Sequence, residues 1–155
     1  MSHLHEKIDF TASAYIVHKN TVLLRKHDKN NAWLDVGGHI EADEDPNQAV
    51  LREIKEEVGL DVTLVGVAKQ FDDSKGEIEL IPPRFLNRHH INPTHEHIDL
   101  VYFAMSPNNV IVETEGREKS SGIKWFTKEE LLDPNLKIWK RVQYYALTAI
   151  EELGS

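Results

Sequence analysis

The chain has 155 residues, 40% of them apolar and 28% charged, the balance of one folded domain rather than of a disordered or membrane-embedded chain. Eighteen basic against 26 acidic residues leave a formal charge of −8, so the average field repels nucleic acid polymers and anionic lipid. With no cysteine, disulfides, thiolate metal sites and thiol nucleophiles are excluded.

The first twenty residues place Glu6, Lys7 and Asp9 ahead of the only apolar run, which is not a signal-peptide layout. No apolar stretch elsewhere reaches the roughly 20 residues that cross a bilayer. One cytoplasmic domain over residues 1–155, without membrane contact, is expected. From Thr11 to His18 and from Thr21 to Lys26 the residues are β-branched, aromatic or aliphatic, and Lys19-Asn20 between them suits a tight turn, so a hairpin is predicted. After a polar loop from His27 to Asn31, Trp33 to Val36 is a short extended piece. It ends at Gly37-Gly38, where the backbone needs close approach or a positive φ.

Asp45 starts a helix: it is an N-cap, Pro46 takes the first helical position, and Gln48 closes a capping box. Gly59 is the matching stop. Val50, Ile54 and Val58, with Leu51 beside them, form an apolar stripe for packing on a sheet. On a wheel advancing about 100° per residue, Glu53, Glu56 and Glu57 share one arc beside that stripe. Ala49 falls inside the arc and is expected to leave room for something to approach. Three neighbouring carboxylates repel one another, and a hard divalent cation offsets that repulsion; a plain solvated acidic face is the competing reading.

Val62 to Gln70 and Ile98 to Met105 read as strands, the second buried on both faces. Asp72 to His97 between them, broken by Pro82, Pro83 and Pro93, reads as irregular. A short strand near Val110 to Val112, another from Ile123 to Phe126, a capping-box start at Thr127 with Glu130, and an amphipathic helix from Leu136 to Leu153 complete the chain. The expected fold class is α/β: a mixed sheet flanked by helices on both faces.

Spacing separates the two readings of the acidic helix. Gly38, five residues, Glu44, seven residues, then Arg52-Glu53-Ile54-Lys55-Glu56-Glu57-Val58-Gly59-Leu60 resembles the signature of the Nudix hydrolases at each of its nine specified positions. The preceding hairpin, Trp33 ahead of the glycine pair, the strand HIDLVYFA and Trp125-Phe126 leading into KEELL resemble the wider Nudix domain over roughly residues 8 to 152.

The resemblance implies an α/β/α sandwich of the MutT-like type that cleaves nucleoside diphosphates linked to another group. It implies that Glu53, Glu56 and Glu57, with the Gly37 carbonyl, bind Mg²⁺ or Mn²⁺, and that water attacks a phosphorus in line. Arg52 is assigned to orienting the acids together with Glu44, because its fork suits carboxylates. Gly38 and Gly59 are backbone-geometry residues. Glu118, with Glu115 as competitor, is a further acid of the candidate catalytic set; a plain surface glutamate is the other reading.

Arg25 is read as a phosphate contact or an exposed strand-edge cation. Arg84 to His97 concentrates Arg84, Arg88, His89, His90, His95 and His97, which suits a basic loop closing over an anionic substrate, or a solvated surface. His95 and His97, two apart, suggest a transition-metal site only if further ligands join them. Trp33, Phe85 and Trp125 are read as core. The chain departs from most Nudix boxes in carrying Asp35-Val36 where a proline usually precedes the glycine pair, and it lacks subfamily markers, so the substrate class stays at small nucleotides or nucleotide-like diphosphates. The alternative function is a sensing domain that binds a nucleotide without turnover. A homodimer is compatible with either.

Overall fold

The computed structural model describes residues 7–27, 29, 31–73, 75–114 and 120–155. Among them, eight strands form one mixed sheet: β1 (Ile8–His18), β2 (Thr21–His27), β3 (Ala32–Leu34), β4 (Val36–His39), β5 (Thr63–Leu64), β6 (Phe85–Asn92), β7 (His95–Met105) and β8 (Gly122–Thr127). Three helices, α1 (Pro46–Val58), α2 (Lys128–Leu131) and α3 (Lys140–Leu153), complete the described elements. No helix among the described residues is long and apolar enough to cross a membrane.

β1 is the axis. It runs parallel to β7 from Ile8↔Glu96 to Val17↔Met105, while its other edge carries β2 at one end and β4 at the other, both antiparallel. Lys19, at φ 55°, turns the β1–β2 hairpin. β8 lies along the free edge of β2, and β5 and β6 share the far edge of β7. Alternate residues of β1 face opposite ways. Ala12, Ala14 and Ile16 pack with Val50, Ile54 and Val58 of α1, whereas Tyr15 and Val17 pack with Val142, Tyr145 and Ala149 of α3. The result is the expected sandwich of helices on two faces of a mixed sheet.

The capping box at Asp45 is formed in full: Asp45 Oδ1 accepts from the Gln48 N–H at 2.9 Å, and Gln48 Oε1 accepts from the Asp45 N–H at 2.9 Å. Such a cap contributes about 1 kcal/mol. Gly59 ends α1 at φ 72°. Leu51, expected in the buried stripe, is instead 40% exposed, and Ala49, expected to leave an opening among the acids, is fully buried in the core. The buried face of α1 is therefore rotated towards Glu53, which lies under the glycine pair.

Three further expectations are corrected. The strand over Val62 to Gln70 shrinks to Thr63–Leu64, because only these residues reach the end of β7, and Gly66, at φ 142°, turns the chain away. Val110 to Val112 forms no strand; the Val112 N–H instead donates to the Val58 carbonyl at 2.9 Å, closing the end of α1. The last helix begins at Lys140, since Trp139 is extended (φ −72°, ψ 145°), although Leu136 and Ile138 still pack into the core.

The segment from Arg84 to His97 is not an irregular loop. It is most of an antiparallel hairpin, with Phe85 to Asn92 paired along β7, and Pro93 sits in its turn rather than breaking it. Trp33 and Phe85 pack into the α3-side core and Trp125 into the α1-side core.

Backbone approaches backbone closely at Gly37. A Cβ there would lie 2.3 Å from the Ala12 carbonyl oxygen, a backbone atom that cannot move without disturbing the β1–β4 ladder. Gly37→Ala is expected to destabilise the fold by roughly 1–3 kcal/mol, read as a lower urea midpoint with an unchanged slope. A midpoint equal to that of the parent would show that β4 yields freely.

Candidate active site

The middle of α1, the loop before it and the end of β4 converge on Arg52. Its Nε and Nη2 donate to the two oxygens of Glu44 at 3.0 and 2.6 Å. Its Nη1 donates to Glu53 Oε1 at 2.9 Å and to Glu56 Oε2 at 3.2 Å, and Nη2 also reaches the His39 carbonyl at 3.1 Å. One planar cation thus holds three carboxylates and the backbone just after the glycine pair, a geometry that lysine cannot supply. The hydrogen bond from Arg52 keeps Glu44 below the usual carboxylate range, and Glu44 in turn is the largest cause raising the guanidinium pKa.

Glu53 is only 6% exposed. It faces Gly38, where a Cβ would meet Glu53 Oε1 at 2.5 Å, so the absent side chain lets the carboxylate abut the backbone. Glu57 projects from the same side of α1, with Arg25 Nη1 of β2 at 3.9 Å from its Oε2. Glu44, Arg52, Glu53, Glu56, Glu57, Gly38 and Arg25 are therefore brought to one place, while Gly37, next to Gly38 in β4, packs against Ala12 and Ser13 of β1. Carboxylate oxygens beside a backbone carbonyl are the donor set of a hard divalent cation, so these residues fit Mg²⁺ or Mn²⁺.

Arg84 and Arg88 are not at that place. Arg84 makes a bidentate contact with Glu152 of α3, at 2.6 and 3.1 Å to Oε1, and lies over the Phe85 ring. Arg88 pairs with Glu96 on β7. Glu118 and Glu115 lie outside the described residues.

On the α3 face of the sheet opens a cleft of about 590 Å³. Thr11, Ser13, Asp35 and Asp99 line its polar floor on the sheet, Arg141 and Tyr145 come from α3, and His89 and His97 also border it. Gly37 and Gly38 line it too, so the cleft and the acidic cluster meet across the same two residues. Burial first, then the neighbouring rings of His39, His89 and His95, push His97 down to about 4, leaving it uncharged at neutral pH.

The family model of the NUDIX domain matches residues 9–147. The chain belongs to the NUDIX family. It is similar to a NUDIX-family hydrolase from Clostridium perfringens at 36% identity, with a TM-score of 0.83 over 97% of this chain and 99% of that one. A MutT NUDIX hydrolase from Burkholderia pseudomallei (21% identity, TM-score 0.64, 96% and 99% covered) shares the fold. So does an ADP-ribose pyrophosphatase from Streptococcus suis (19% identity, TM-score 0.57, 95% and 92% covered). No curated protein matches the chain. NUDIX enzymes are pyrophosphohydrolases and typically use divalent metals.

Within this NUDIX fold the floor of the cleft holds an arrangement that the box does not contain. Ser13 Oγ donates to Asp99 Oδ2 at 2.8 Å, and Thr11 Oγ1 donates to Asp99 Oδ1 at 3.0 Å. Ser13 also hydrogen-bonds Asp35, as does Tyr15. One hydroxyl proton cannot serve two carboxylates, so Ser13 bridges them naturally when Asp35 is protonated and donates to it. Burial is the largest cause raising both acids, and their mutual repulsion adds to it, taking Asp35 up to about 7. Arg141 opposes the shift from across the cleft.

A sequence signal for this floor existed: Asp9, Thr11 and Ser13 are polar at every second position of an otherwise apolar strand. Asp35 stands two residues before Gly37, in the stretch where the usual proline is missing.

Because the folded pKa of Asp35 lies above its unfolded value, the stability it contributes is fully present below about pH 4 and is lost as pH rises through about 7. Asp35→Asn removes that dependence. The variant is expected to gain on the parent by on the order of 2 kcal/mol between pH 4 and pH 8 in denaturant titrations. Parallel stability profiles for the two proteins would show that Asp35 ionises normally.

Proposed function

We propose that this NUDIX hydrolase cleaves the pyrophosphate bond of a nucleoside di- or triphosphate, or of a nucleoside diphosphate derivative, in the presence of Mg²⁺ or Mn²⁺. The observation that carries this reading is the meeting of the Arg52-bound acids with the cleft across Gly37-Gly38. Glu53, Glu56 and Glu57, with the Gly37 carbonyl, would hold the cation. When bound, such an ion neutralises the diphosphate and makes water a better nucleophile near neutral pH.

The residues of the chain divide the remaining tasks. Arg52, fixed by Glu44, positions Glu53 and Glu56 so that their oxygens converge without rearrangement on binding. Arg25, beside Glu57, is placed to meet a phosphate oxygen. Recognition of the rest of the substrate falls to the cleft, since Arg84 and Arg88 are each committed to a carboxylate. Its polar floor of Asp35, Ser13 and Asp99 offers donors and acceptors to a heterocycle, and Trp139 and Tyr145 line it with flat apolar surface.

A panel of nucleoside triphosphates, nucleotide sugars and ADP-ribose, assayed for released phosphate, pyrophosphate and mononucleotide, tests the reading. Turnover is expected with Mg²⁺ and none in excess chelator. Glu57→Gln keeps the shape of the side chain and removes a charge, so kcat is expected to fall by about 100-fold or more while the melting temperature holds. Turnover persisting in chelator, or a near-parental Glu57→Gln, would sink the mechanism. Tight nucleotide binding with no turnover across the panel would favour the sensing alternative.

A further inference from the structure

Among the described residues, one cluster of metal-ligating side chains lies apart from the Arg52-bound acids. It is built by register. Asp9 of β1 stands opposite His97 of β7, which stands opposite His89 of β6, while His39 of β4 lies opposite Thr11, two residues along β1 from Asp9. Side chains two apart on a strand share a face, so Asp9, His39, His95 and His97 all project from the α3 side of the sheet, at the end nearest the turn between β6 and β7.

The Asp9 carboxylate is 5% exposed and sits at the centre. Its Oδ2 lies 3.0 Å from His95 Nε2 and 3.5 Å from His39 Nε2. The ring of His97 meets those of His39 and His95 edge-on, at centroid distances of 5.0 and 5.2 Å. A ligand atom from each of Asp9, His95 and His97 falls within 4.8 Å of the other two.

We infer that Asp9, His39, His95 and His97 form a second metal site, one that takes a transition-metal ion of the Zn²⁺ class. The argument rests on donor type and on distance. Imidazole nitrogen with one carboxylate is the preference of Zn²⁺ and its neighbours, whereas the all-oxygen set at Glu53, Glu56 and Glu57 suits Mg²⁺. Around a tetrahedral ion with bonds of about 2.0–2.1 Å, ligand atoms stand about 3.3 Å apart. The two distances from Asp9 Oδ2 bracket that value; Asp9, His95 and His97 already bring a ligand atom within 4.8 Å of one another, and the exposed His39 ring must turn in to complete the set.

The site is also accessible. His39 and His97 line the cleft, whereas Asp9 and His95 stand behind them, so an ion held by all four is reached from the cleft side. It is joined to the acidic cluster through the backbone: His39 directly follows Gly38, and its carbonyl accepts from Arg52 Nη2. Occupancy would pin the ends of β1, β4 and β7 together and fix the exit of the glycine pair. A cluster held only by hydrogen bonds to Asp9 would have no preference for a transition metal, and that difference is measurable.

The test uses the full chain without an affinity tag, stripped of metal with chelator, dialysed and titrated with Zn²⁺ by calorimetry in millimolar Mg²⁺. Co²⁺ titration followed by visible absorption is the second readout. We expect one equivalent of Zn²⁺ to bind with Mg²⁺ present, to raise the melting temperature, and to be retained unchanged in Glu57→Gln. His97→Ala is expected to weaken it by roughly 100-fold and to abolish the Co²⁺ absorption band. His39→Ala, which removes an exposed side chain and leaves the half-buried His97 ring in place, keeps the fold and is expected to weaken binding as well.

Absence of Zn²⁺ binding in the parent would overturn the inference. So would binding that Glu57→Gln abolishes and His39→Ala and His97→Ala leave intact, because the ion would then sit on the box acids. Because Zn²⁺ uptake is measured without substrate, the outcome is independent of whether the chain hydrolyses nucleotides.

Discussion

Glu44, Glu53 and Glu56 repel one another, and the local structure of this chain depends on the Arg52 guanidinium that holds all three. Arg52 grips Glu44 with two parallel hydrogen bonds and turns its remaining donors to Glu53, Glu56 and the His39 carbonyl. Each contact links a different stretch of chain: the loop before α1, the helix itself, and the end of β4. Removing the fork would take from Glu53, buried against Gly38, the donor that its Oε1 accepts from, and loss of a strong hydrogen-bond partner is costly for a buried carboxylate.

The glycine pair makes this arrangement possible from both sides. Gly37 lets β4 lie against β1, and Gly38 lets Glu53 rise to the backbone. The same two residues border the cleft on the α3 face, so a ligand lying there is in reach of the acids on the α1 face. The sheet therefore separates two chemical environments that adjoin at the glycine pair: a carboxylate-rich cluster under α1, and a cleft carrying two acids whose pKa values burial raises. The division suits a reaction in which phosphate and the remainder of the substrate need different partners.

Much of this was legible in the chain because it is local. The Asp45 capping box, the Gly59 stop and the acids at helical spacing are all set within a few residues of one another, and local hydrogen bonds and the helical repeat need no distant partner. The box itself is read from a run of 23 residues, Gly38 to Leu60, and its members do converge in space. What failed was non-local. Arg84 to His97 looked irregular because its proline and histidines carry no apolar alternation; Phe85 to Asn92 within it is a strand because the edge of β7 offers it a hydrogen-bonding partner. Val62 to Gln70 had the composition of a strand but little edge to join, and only two of its residues pair. Leu51 and Ala49 exchanged roles because the rotation of α1 is set by where Glu53 fits beneath Gly38, not by the average of its apolar positions.

The sequence by itself determined the family, the layered architecture and the set of acids on α1, because helix caps, residue periodicity and a fixed motif are written in consecutive residues. Only the tertiary structure decided what shares a cleft. Asp35 and Asp99 are 64 positions apart in the chain and are bridged by Ser13 from a third strand. Asp9, His39, His95 and His97 come from three strands and are aligned by the parallel pairing of β1 with β7 and the antiparallel pairing of β1 with β4. Strand register is a property of partners distant in the chain, and a shift of one residue would turn every one of these side chains to the opposite face.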